Sequence, residues 1–501
     1  MKLNKRIRKT TEYVLEKLRD RNLSNFLLNT LLSLLLFFYI FSRFKFLNDY
    51  VPFWYAKNWG DSQLAPKFML YLIPLTSVTI NLFGLLLTVL NKYYLRYLEN
   101  IVWYCVLFVN VFLTGSVVKI IRISSVPFPP IINPMYISLF PAFFFAALIM
   151  LLFMPNFIEF AKKKKLVTNP KVHNHPGMIL QYPSARGGGF VYAVVFLFSA
   201  AIFVGFSKNL SGLYISVIMT ALLGILDDYQ NTHPKSKYRS LENPFLRLFL
   251  LFVSVLPVVL SGVMINTISN PFGGFINLNI FEVTFGDSTI SILPVLVTSL
   301  WIVWLMNVLS WSNGVDGQFP GIVGIASILI AILALRFDEL TEFHRQIALL
   351  SVISAGASFG SVKYNWYPSK IMWGFGAMSA GLVIASLAIM AQAKIAVSVL
   401  ILLIPFLDAL VTIGRRILRG KNPLKGDRGH LHHILLDKGW SVSKVALFYW
   451  FATAVFGIIG LLSPERVVLK LTFLIIGIVA SILIFLNISS NNKMKQFSSQ
   501  N

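Results

Sequence analysis

The feature that most constrains this chain is a series of apolar runs of about 20 residues, the length that a helix needs to cross a bilayer core. Its composition agrees, because 56% of its 501 residues are hydrophobic and only 13% are charged, against roughly 25% in ordinary soluble domains. The sequence therefore predicts an all-α polytopic membrane protein with about 14 transmembrane helices. The runs begin near Phe26, Met69, Ile101, Tyr136, Gly188, Gly212, Phe245, Ile290, Pro320, Ile347, Ile371, Ile395, Val445 and Leu469.

Lysine and arginine outnumber aspartate and glutamate by 44 to 20, and the excess lies in loops on one side of this series. By the positive-inside rule that side is cytoplasmic, and both termini are expected there. The net charge of +24 favours contact with anionic lipid over nucleic acid. We interpret the first apolar run as a retained helix rather than a signal peptide, since no small-residue cleavage site follows it. The basic stretches are Met1–Asn25, NKYYLRYLEN, AKKKKLVTNPKVHNHPG, DDYQNTHPKSKYR, KYNWYPSK and RRILRGKNPLKGDRGHLHH.

Prolines between Arg122 and Pro134 interrupt the helical pattern and predict a domain boundary. Residues 1–130 are expected to form an N-terminal section of three helices, 131–490 a core of eleven helices, and 491–501 a polar, disordered tail. The stretch NDYVPFWYAKNWGDSQLAPK is expected to cap the first section or dock a partner, and NPFGGFINLNIFEVTFGDSTIS to be an external connector. The single cysteine, Cys105, is interpreted as a small buried hydrophobic residue.

Residues suited to chemistry gather at the predicted cytoplasmic helix ends. In LLGILDDYQN, Asp227 and Asp228 point about 100° apart on a helix, so one carboxylate can face a cleft while the other holds a metal or a base. A solvated helix end would carry such acids too. In MNVLSWSNGVDGQFPG, Asn307, Asn313 and Asp316 stand among glycines, which suits a nucleobase, a ribose or a metal. A plain turn would also use Asn and Gly.

Two further stretches carry groups that bind anions. In YPSARGGGF, Arg186 beside three glycines suits a phosphate, although a basic loop before a glycine-rich helix is common in membrane proteins. In GDRGHLHHILLD, Arg428 precedes His430, His432 and His433, whose spacing is a poor zinc site. Three imidazoles beside an arginine favour a diphosphate, neutralised by hydrogen bonds and protonation, whereas a loop on lipid headgroups would more naturally use lysine.

A fifth stretch, KYNWYPSKIMWGFGAM, carries aromatic residues and glycines but no acid. We interpret it as an aromatic belt with a close helix contact rather than as part of a site.

Taken together, from Tyr136 to about Leu486, these stretches resemble the polyprenyl-phosphate N-acetylhexosamine-1-phosphate transferases. DALVTIGRRILRGKNPLKGDRGHLHHILLDKGWS is similar to the family's Arg-Arg and His-x-His-His loop, and GILDDYQN to its Asp-Asp motif. NVLSWSNGVDG resembles its Asn-x-x-Asn-x-x-Asp-Gly-x-Asp-Gly motif, and PSARGGGF its Pro-Arg-x-Gly-Gly loop. The resemblance implies transfer of a sugar 1-phosphate from a UDP-N-acetylhexosamine to polyprenyl phosphate, with release of UMP, in a lipid-linked glycan or cell wall pathway at the plasma membrane.

The resemblance also implies a Mg²⁺ ion and three groups of site residues. The catalytic and metal-ligating residues would be Asp227, Asp228 and Asp316, with the first two activating the lipid phosphate or placing the metal. The substrate-binding residues would be Asn307 with Asp316 at the uridine end, Arg428, His430, His432 and His433 at the diphosphate, and Arg186 and Asn313.

Two departures from the family pattern leave two functions open. Ser310 and Asn313 stand where the family has its second Asn and first Asp, and Phe375 stands where it has an Asp that binds metal. A phenyl ring cannot bind Mg²⁺, which requires oxygen ligands. The metal is then held by the three aspartates and the substrate phosphates, or the chain is a degenerate member that binds polyprenyl phosphate or nucleotide sugar without catalysis. A transporter is the least favoured function, because the acids lie at helix ends. For the oligomeric state, both a homodimer and a monomer stay open.

Overall fold

The computed structural model divides into two compact units, Met1–Pro134 and Met135–Asn501. The predicted basic segment before residue 23 and most of the proline-rich boundary lie outside the described residues. The structure describes residues 23–54, 57, 60–90, 96–124, 134–170, 182–233, 236, 239–270, 272–285, 288–337, 340–393, 395–422 and 428–498.

The first unit contains three long apolar helices and one short hairpin among its described residues. The helices are α1 (Leu23–Arg43), α2 (Leu72–Leu90) and α3 (Arg96–Ser124), and strand β1 (Tyr50–Pro52) pairs antiparallel with β2 (Leu64–Pro66). The hairpin lies within the aromatic stretch between the first two helices. Cys105 is exposed on α3, so its interpretation as a buried residue was wrong: in an apolar span, this face of the helix meets lipid.

Buried polar side chains join the three helices of this unit. Asn110 of α3 donates from Nδ2 to Asn29 Oδ1 of α1 at 3.0 Å and to Asn81 Oδ1 of α2 at 2.7 Å. Ser77 Oγ donates to Asn110 Oδ1 at 2.8 Å, and Asn81 Nδ2 donates to Ser33 Oγ at 3.1 Å. All five side chains are buried. Because lipid offers no competing partners, such bonds stabilise helix association within a membrane.

The second unit is built from helices with three short hairpins. The strands are β3 (Val167–Thr168) with β4 (Ser184–Ala185), β5 (Thr267–Ser269) with β6 (Phe275–Asn277), and β7 (Glu282–Phe285) with β8 (Ser288–Ser291). The helices are α4 (Pro134–Lys163), α5 (Gly188–Phe203), α6 (Lys208–Thr232), α7 (Pro244–Leu260), α8 (Ile292–Trp311), α9 (Gln318–Ala334), α10 (Glu342–Asn365), α11 (Ala377–Met390), α12 (Ile395–Ile401), α13 (Leu403–Leu418), α14 (Leu431–Asp437), α15 (Val442–Leu462) and α16 (Glu465–Ser498).

The chain is an all-α polytopic membrane protein, as predicted. Among the described residues, nine helices are long and apolar enough to cross a membrane, or ten if the pair α12 and α13, bent by 89°, forms one span. Four shorter apolar helices accompany them. Each apolar run found in the sequence overlaps one helix or this bent pair. The count of about 14 crossings and the cytoplasmic position of both termini remain predictions.

Two segments carry structure that the sequence analysis does not predict. The connector between α7 and α8 forms the hairpins β5–β6 and β7–β8. The C-terminal helix continues to Ser498, so residues 491–498 are helical and the expectation of a disordered tail was wrong for them.

Glycines bring three helices into backbone contact where the polar residues gather. A Cβ on Gly189 of α5 would lie 2.2 Å from the carbonyl carbon of Gly376, and one on Gly224 of α6 would lie 2.7 Å from the Gly376 Cα. Only glycine fits such close approaches, which are frequent between membrane helices. These contacts hold the last turns of α6 against the segment that leads into α11.

Candidate active site

Asp227 and Asp228 lie in the last two turns of α6 and are both buried. Their carboxylates meet different neighbours, because adjacent side chains on a helix point about 100° apart. Asp227 accepts hydrogen bonds from Gln230 Nε2 at 3.2 Å and Asn231 Nδ2 at 2.7 Å, both one turn further on. Asp228 Oδ1 accepts the backbone N–H of Phe375 at 3.1 Å. The predicted pair of differently placed carboxylates is therefore present.

Two arginines from other elements pair with these carboxylates. Arg186 Nη1 lies 3.4 Å from Asp228 Oδ1, and its Nε donates to Thr168 Oγ1. Arg247 Nη1, from α7, lies 3.5 Å from Asp227 Oδ1. Two positive and two negative side chains thus lie next to one another, and a guanidinium group has more N–H donors than one such ion pair uses.

The sequence analysis did not identify Arg247 as a site residue, although the sequence contains a signal for it. It is the one charged residue in PFLRLFLLFVSVLPVVL, and ionisable residues within membrane helices tend to face a bundle interior or a functional cavity. Its guanidinium carbon lies 5.4 Å from the centre of the Phe375 ring, a distance at which the ring face attracts a cation.

The segment before α11 contacts Asp228 and Asn313 with its backbone. Gly374 has φ +64, and a Cβ there would lie 2.0 Å from Asp228 Oδ2. The Gly374 carbonyl accepts a hydrogen bond from Asn313 Nδ2 at 3.3 Å. The close helix contact predicted for KYNWYPSKIMWGFGAM is present at Gly376. The stretch also contacts Asp228 through main-chain groups, which side-chain chemistry does not reveal.

Asp316 and Asn307 make other contacts. Asp316 Oδ2 accepts the backbone N–H of Ser369 at 3.0 Å, and burial raises the pKa of Asp316 above its usual range although this hydrogen bond opposes the shift. Asn307 Nδ2 donates to the Val303 carbonyl of its own helix at 2.8 Å. Among the hydrogen bonds of the described residues, none links Asp316 or Asn307 to Asp227 or Asp228.

The three histidines form one cluster on and before the short helix α14. The rings of His430 and His432 are parallel within 4° with centres 5.6 Å apart, and the rings of His432 and His433 are 4.3 Å apart. Nδ1 of His432 and of His433 is buried, with no hydrogen-bond partner among the described residues. Arg428 makes an ion pair with Asp437 at 2.9 Å, with both side chains nearly half exposed.

The imidazoles of His432 and His433 are neutral at pH 7. Burial lowers the pKa of His432 well below its usual value, and its neighbours His433 and His430 lower it further. Burial and the charge of Arg428 lower the pKa of His433 to about 4. The expected neutralisation of a diphosphate by protonated histidines therefore requires the anion to be bound first, and hydrogen bonding is the interaction that the cluster offers in this structure.

His430 has a partner that the sequence reasoning did not assign to the site. Its Nδ1 lies 2.9 Å from Asp408 Oδ2, while Asp408 Oδ1 accepts the backbone N–H of Leu431 at 2.7 Å. Asp408 is buried in α13. An acid inside an apolar helix is a signal that could have indicated a functional role.

A short series of contacts connects the histidines with the aspartate pair. A Cβ on Gly314 would lie 2.3 Å from His432 Nε2, so this imidazole packs directly on the loop after α8. The neighbouring Asn313 bonds the Gly374 carbonyl, and Gly374 abuts Asp228. Arg186, Asn313 and His432 are thus brought to one region with Asp228, as the motifs predict.

The described residues of this site meet the requirements of a metal ion only in part. Among the described residues, no group of three or more His, Cys, Asp or Glu side chains is placed to hold one. The predicted set of Asp227, Asp228 and Asp316 is not assembled in this way. Asp228 Oδ2, however, is buried and has no hydrogen-bond donor among the described residues. Mg²⁺ is often bound by one or two carboxylates together with substrate phosphates and water, and Asp228 fits that mode.

The helices and this charged cluster define a multi-pass membrane protein with paired carboxylates and guanidinium groups at the end of one apolar helix. Residues 210–392, which include the aspartate pair, Asp316 and Phe375, match the model of glycosyl transferase family 4. Over these residues the chain is similar to this family.

Several curated relatives are similar over most of their own length. A probable undecaprenyl-phosphate N-acetylglucosaminyl 1-phosphate transferase of Bacillus subtilis is 27% identical over 59% of this chain and 81% of that protein. A phospho-N-acetylmuramoyl-pentapeptide-transferase of Helicobacter hepaticus is 26% identical over 64% of this chain and 92% of that protein. A decaprenyl-phosphate N-acetylglucosaminephosphotransferase of Mycobacterium leprae is 28% identical over 55% of this chain and 72% of that protein.

Proposed function

We propose that this protein transfers a sugar 1-phosphate, with an N-acetylhexosamine as the sugar, from a UDP-sugar to polyprenyl phosphate. The reaction takes place at the cytoplasmic face of the plasma membrane, releases UMP and begins a lipid-linked glycan. One observation carries the proposal: Asp228, buried near the end of a membrane helix and paired with Arg186, keeps one carboxylate oxygen without a donor among the described residues. The names of the relatives, all of which are sugar-phosphate or peptide-sugar-phosphate transferases, support the substrate class.

The arginines have the chemistry to hold the two phosphate groups that react. Two anions repel each other, and guanidinium groups reduce this repulsion while they fix the phosphates by directed hydrogen bonds. Arg186, which precedes α5, pairs with Asp228, and Arg247 of α7 pairs with Asp227. Together they could place the lipid phosphate beside the diphosphate in the geometry for direct displacement, and such positioning with charge stabilisation supplies most of the catalysis of phosphoryl transfer.

In the reaction, an oxygen of the lipid phosphate attacks the phosphorus that bears the sugar. A new phosphorus–oxygen bond forms, and the bond to the phosphate of UMP breaks. Asp228 Oδ2 is the acceptor for any proton that the lipid phosphate still carries, which leaves a better nucleophile. A Mg²⁺ ion, when bound, would neutralise charge on the diphosphate with Asp228 as its protein ligand.

The histidine cluster is placed to bind the diphosphate of the nucleotide sugar. Neutral imidazoles donate through one ring nitrogen, and His432 packs on the loop that carries Asn313. Arg428 adds a positive charge at the exposed edge of the cluster. Hydrogen-bond donors that contact the leaving UMP phosphate stabilise the charge that develops there.

The test is transfer of radiolabel from UDP-N-acetylhexosamines to undecaprenyl phosphate by purified protein, with Mg²⁺ or with EDTA. We expect Asp228→Asn to lower the rate by about 100-fold or more, since a carboxamide can neither accept the proton nor hold a cation as the carboxylate does. Glu342→Gln is the matched control, because Glu342 forms an exposed ion pair with Arg345 and such pairs contribute little. Transfer at the full rate by Asp228→Asn would refute the proposal.

A second function is favoured by one specific observation. Phe375 contributes a ring that lies against Arg247 rather than an oxygen ligand, and the described residues lack a three-ligand metal group. A degenerate member would bind polyprenyl phosphate or nucleotide sugar without turnover. Folded wild-type protein that binds labelled UDP-sugar but transfers none with any donor would establish this alternative and exclude the transferase.

A further inference from the structure

Asp408 holds His430 in a way that the proposed reaction does not yet use. Both of its carboxylate oxygens are engaged, Oδ2 by His430 Nδ1 at 2.9 Å and Oδ1 by the Leu431 backbone N–H at 2.7 Å. An ionised carboxylate only accepts hydrogen bonds. A carboxylate form of Asp408 requires the proton between Asp408 and His430 to be on Nδ1, which leaves Nε2 as the reactive nitrogen of this imidazole.

We propose that Asp408 is a positioning residue that fixes the tautomer and ring orientation of His430 for contact between Nε2 and a phosphate of the substrate. This inference rests on the proposed function, because it assigns the diphosphate as the ligand of the cluster. A carboxylate that bonds the far nitrogen of a histidine orients the ring and raises its basicity. It also stabilises the imidazolium that forms when Nε2 takes up a proton against an anion.

The surroundings restrict the His430 ring further. Thr412 Oγ1 lies 3.5 Å from Nδ1, the His432 ring stacks in parallel at 5.6 Å, and the Trp311 ring centre lies 6.5 Å away. Thr412 and Asp408 are on the same helix, one turn apart. Among the described residues, His433, Arg428, Asp437 and Tyr449 also act electrostatically within the cluster, and Arg415 abuts Gly429.

Asp408→Asn gives a specific test because a carboxamide has only one accepting oxygen. The Leu431 backbone N–H needs an acceptor, since a buried backbone donor without one is costly. If the Asn oxygen serves Leu431, the Asn NH₂ group faces His430 Nδ1 and can only donate to it. Nδ1 must then lose its proton and Nε2 must gain it, so the substitution reverses the tautomer with little change of shape.

The readout is nitrogen NMR of protein labelled with ¹⁵N-histidine. The chain has only 7 histidines, and the His430 resonances are assigned by their loss in His430→Gln. In the wild type we expect the proton on Nδ1, and in Asp408→Asn on Nε2. The rate of sugar-phosphate transfer should fall on the order of 10- to 100-fold, the range found for groups that orient ligating imidazoles. The control, Glu342→Gln, removes an exposed acid that pairs with Arg345 and should change neither readout.

Each outcome tests either the positioning role of Asp408 or the proposed function. A wild-type proton on Nε2 would overturn the inference, and this test does not require Asp408→Asn to fold. An unchanged tautomer in folded Asp408→Asn would overturn it as well. A reversed tautomer with an undiminished transfer rate would overturn the positioning role. A wild type that transfers no sugar phosphate but shows the expected tautomer and its reversal would overturn the proposed function and leave the coupling of Asp408 to His430 standing.

Discussion

Gly374 determines where the Asp228 carboxylate lies, and Gly374→Ala tests this directly. The added Cβ would lie 2.0 Å from Asp228 Oδ2 and 2.3 Å from Oδ1, whereas real Cβ contacts do not fall under 3.0 Å. The carboxylate must therefore withdraw by about 1 Å, a displacement that can lower a reaction rate about 100-fold. Expressed as a barrier, this is about 3 kcal/mol.

The same substitution also strains the backbone. Gly374 has φ +64, and an L-residue in this conformation is less stable by roughly 1–2 kcal/mol. Gly420 separates the two effects, because it has φ +63 and nothing lies within 4 Å of the position of its Cβ. Gly420→Ala should show the same loss of stability and keep its transfer rate.

The assay combines two measurements on purified protein in detergent. Thermal unfolding should report similar losses for Gly374→Ala and Gly420→Ala, and transfer of labelled sugar phosphate should fall only for Gly374→Ala. The reasoning is refuted if folded Gly374→Ala transfers at the wild-type rate, or if Gly420→Ala slows transfer to the same extent.

Two further predictions concern stability. Asn110→Leu removes the hydrogen bonds to Asn29, Asn81 and Ser77. At about 0.6 kcal/mol for each interhelical bond, the substitution should destabilise the first unit by about 2 kcal/mol. Proteolysis within residues 23–124 measures this loss, and protection equal to that of the wild type would contradict the prediction. The folded pKa of His433, about 4, lies below its unfolded value of about 6.5. The unfolded state therefore binds more protons, and stability that is complete above pH 6.5 should be lost as pH falls towards 4, by about 3 kcal/mol in all. Thermal unfolding at pH 7.5 and 5 should show the loss in the wild type and a smaller loss in His433→Gln; equal losses would count against this assignment.

Much of the architecture could be predicted because the relevant signals are local. A run of about 20 apolar residues needs only its own length and composition to indicate a membrane helix, and the described helices fall where these runs do. The motifs likewise indicated Arg186, Asp228 and Asn313, because carboxylates, guanidinium groups and amides are uncommon among apolar helices.

The sequence by itself thus determined that this is a helical membrane protein and which residues have the chemistry for phosphates. Only the tertiary structure decided how they are paired: Phe375 donates its backbone N–H to Asp228 across 147 positions, and Asp408 rather than Arg428 holds His430. The tertiary structure also gives Asp316 a hydrogen bond from the Ser369 backbone N–H instead of a contact with the aspartate pair. The physical reason is that a helix fixes only the direction of its own side chains, whereas the close glycine contacts and the bend between α12 and α13 decide which directions meet.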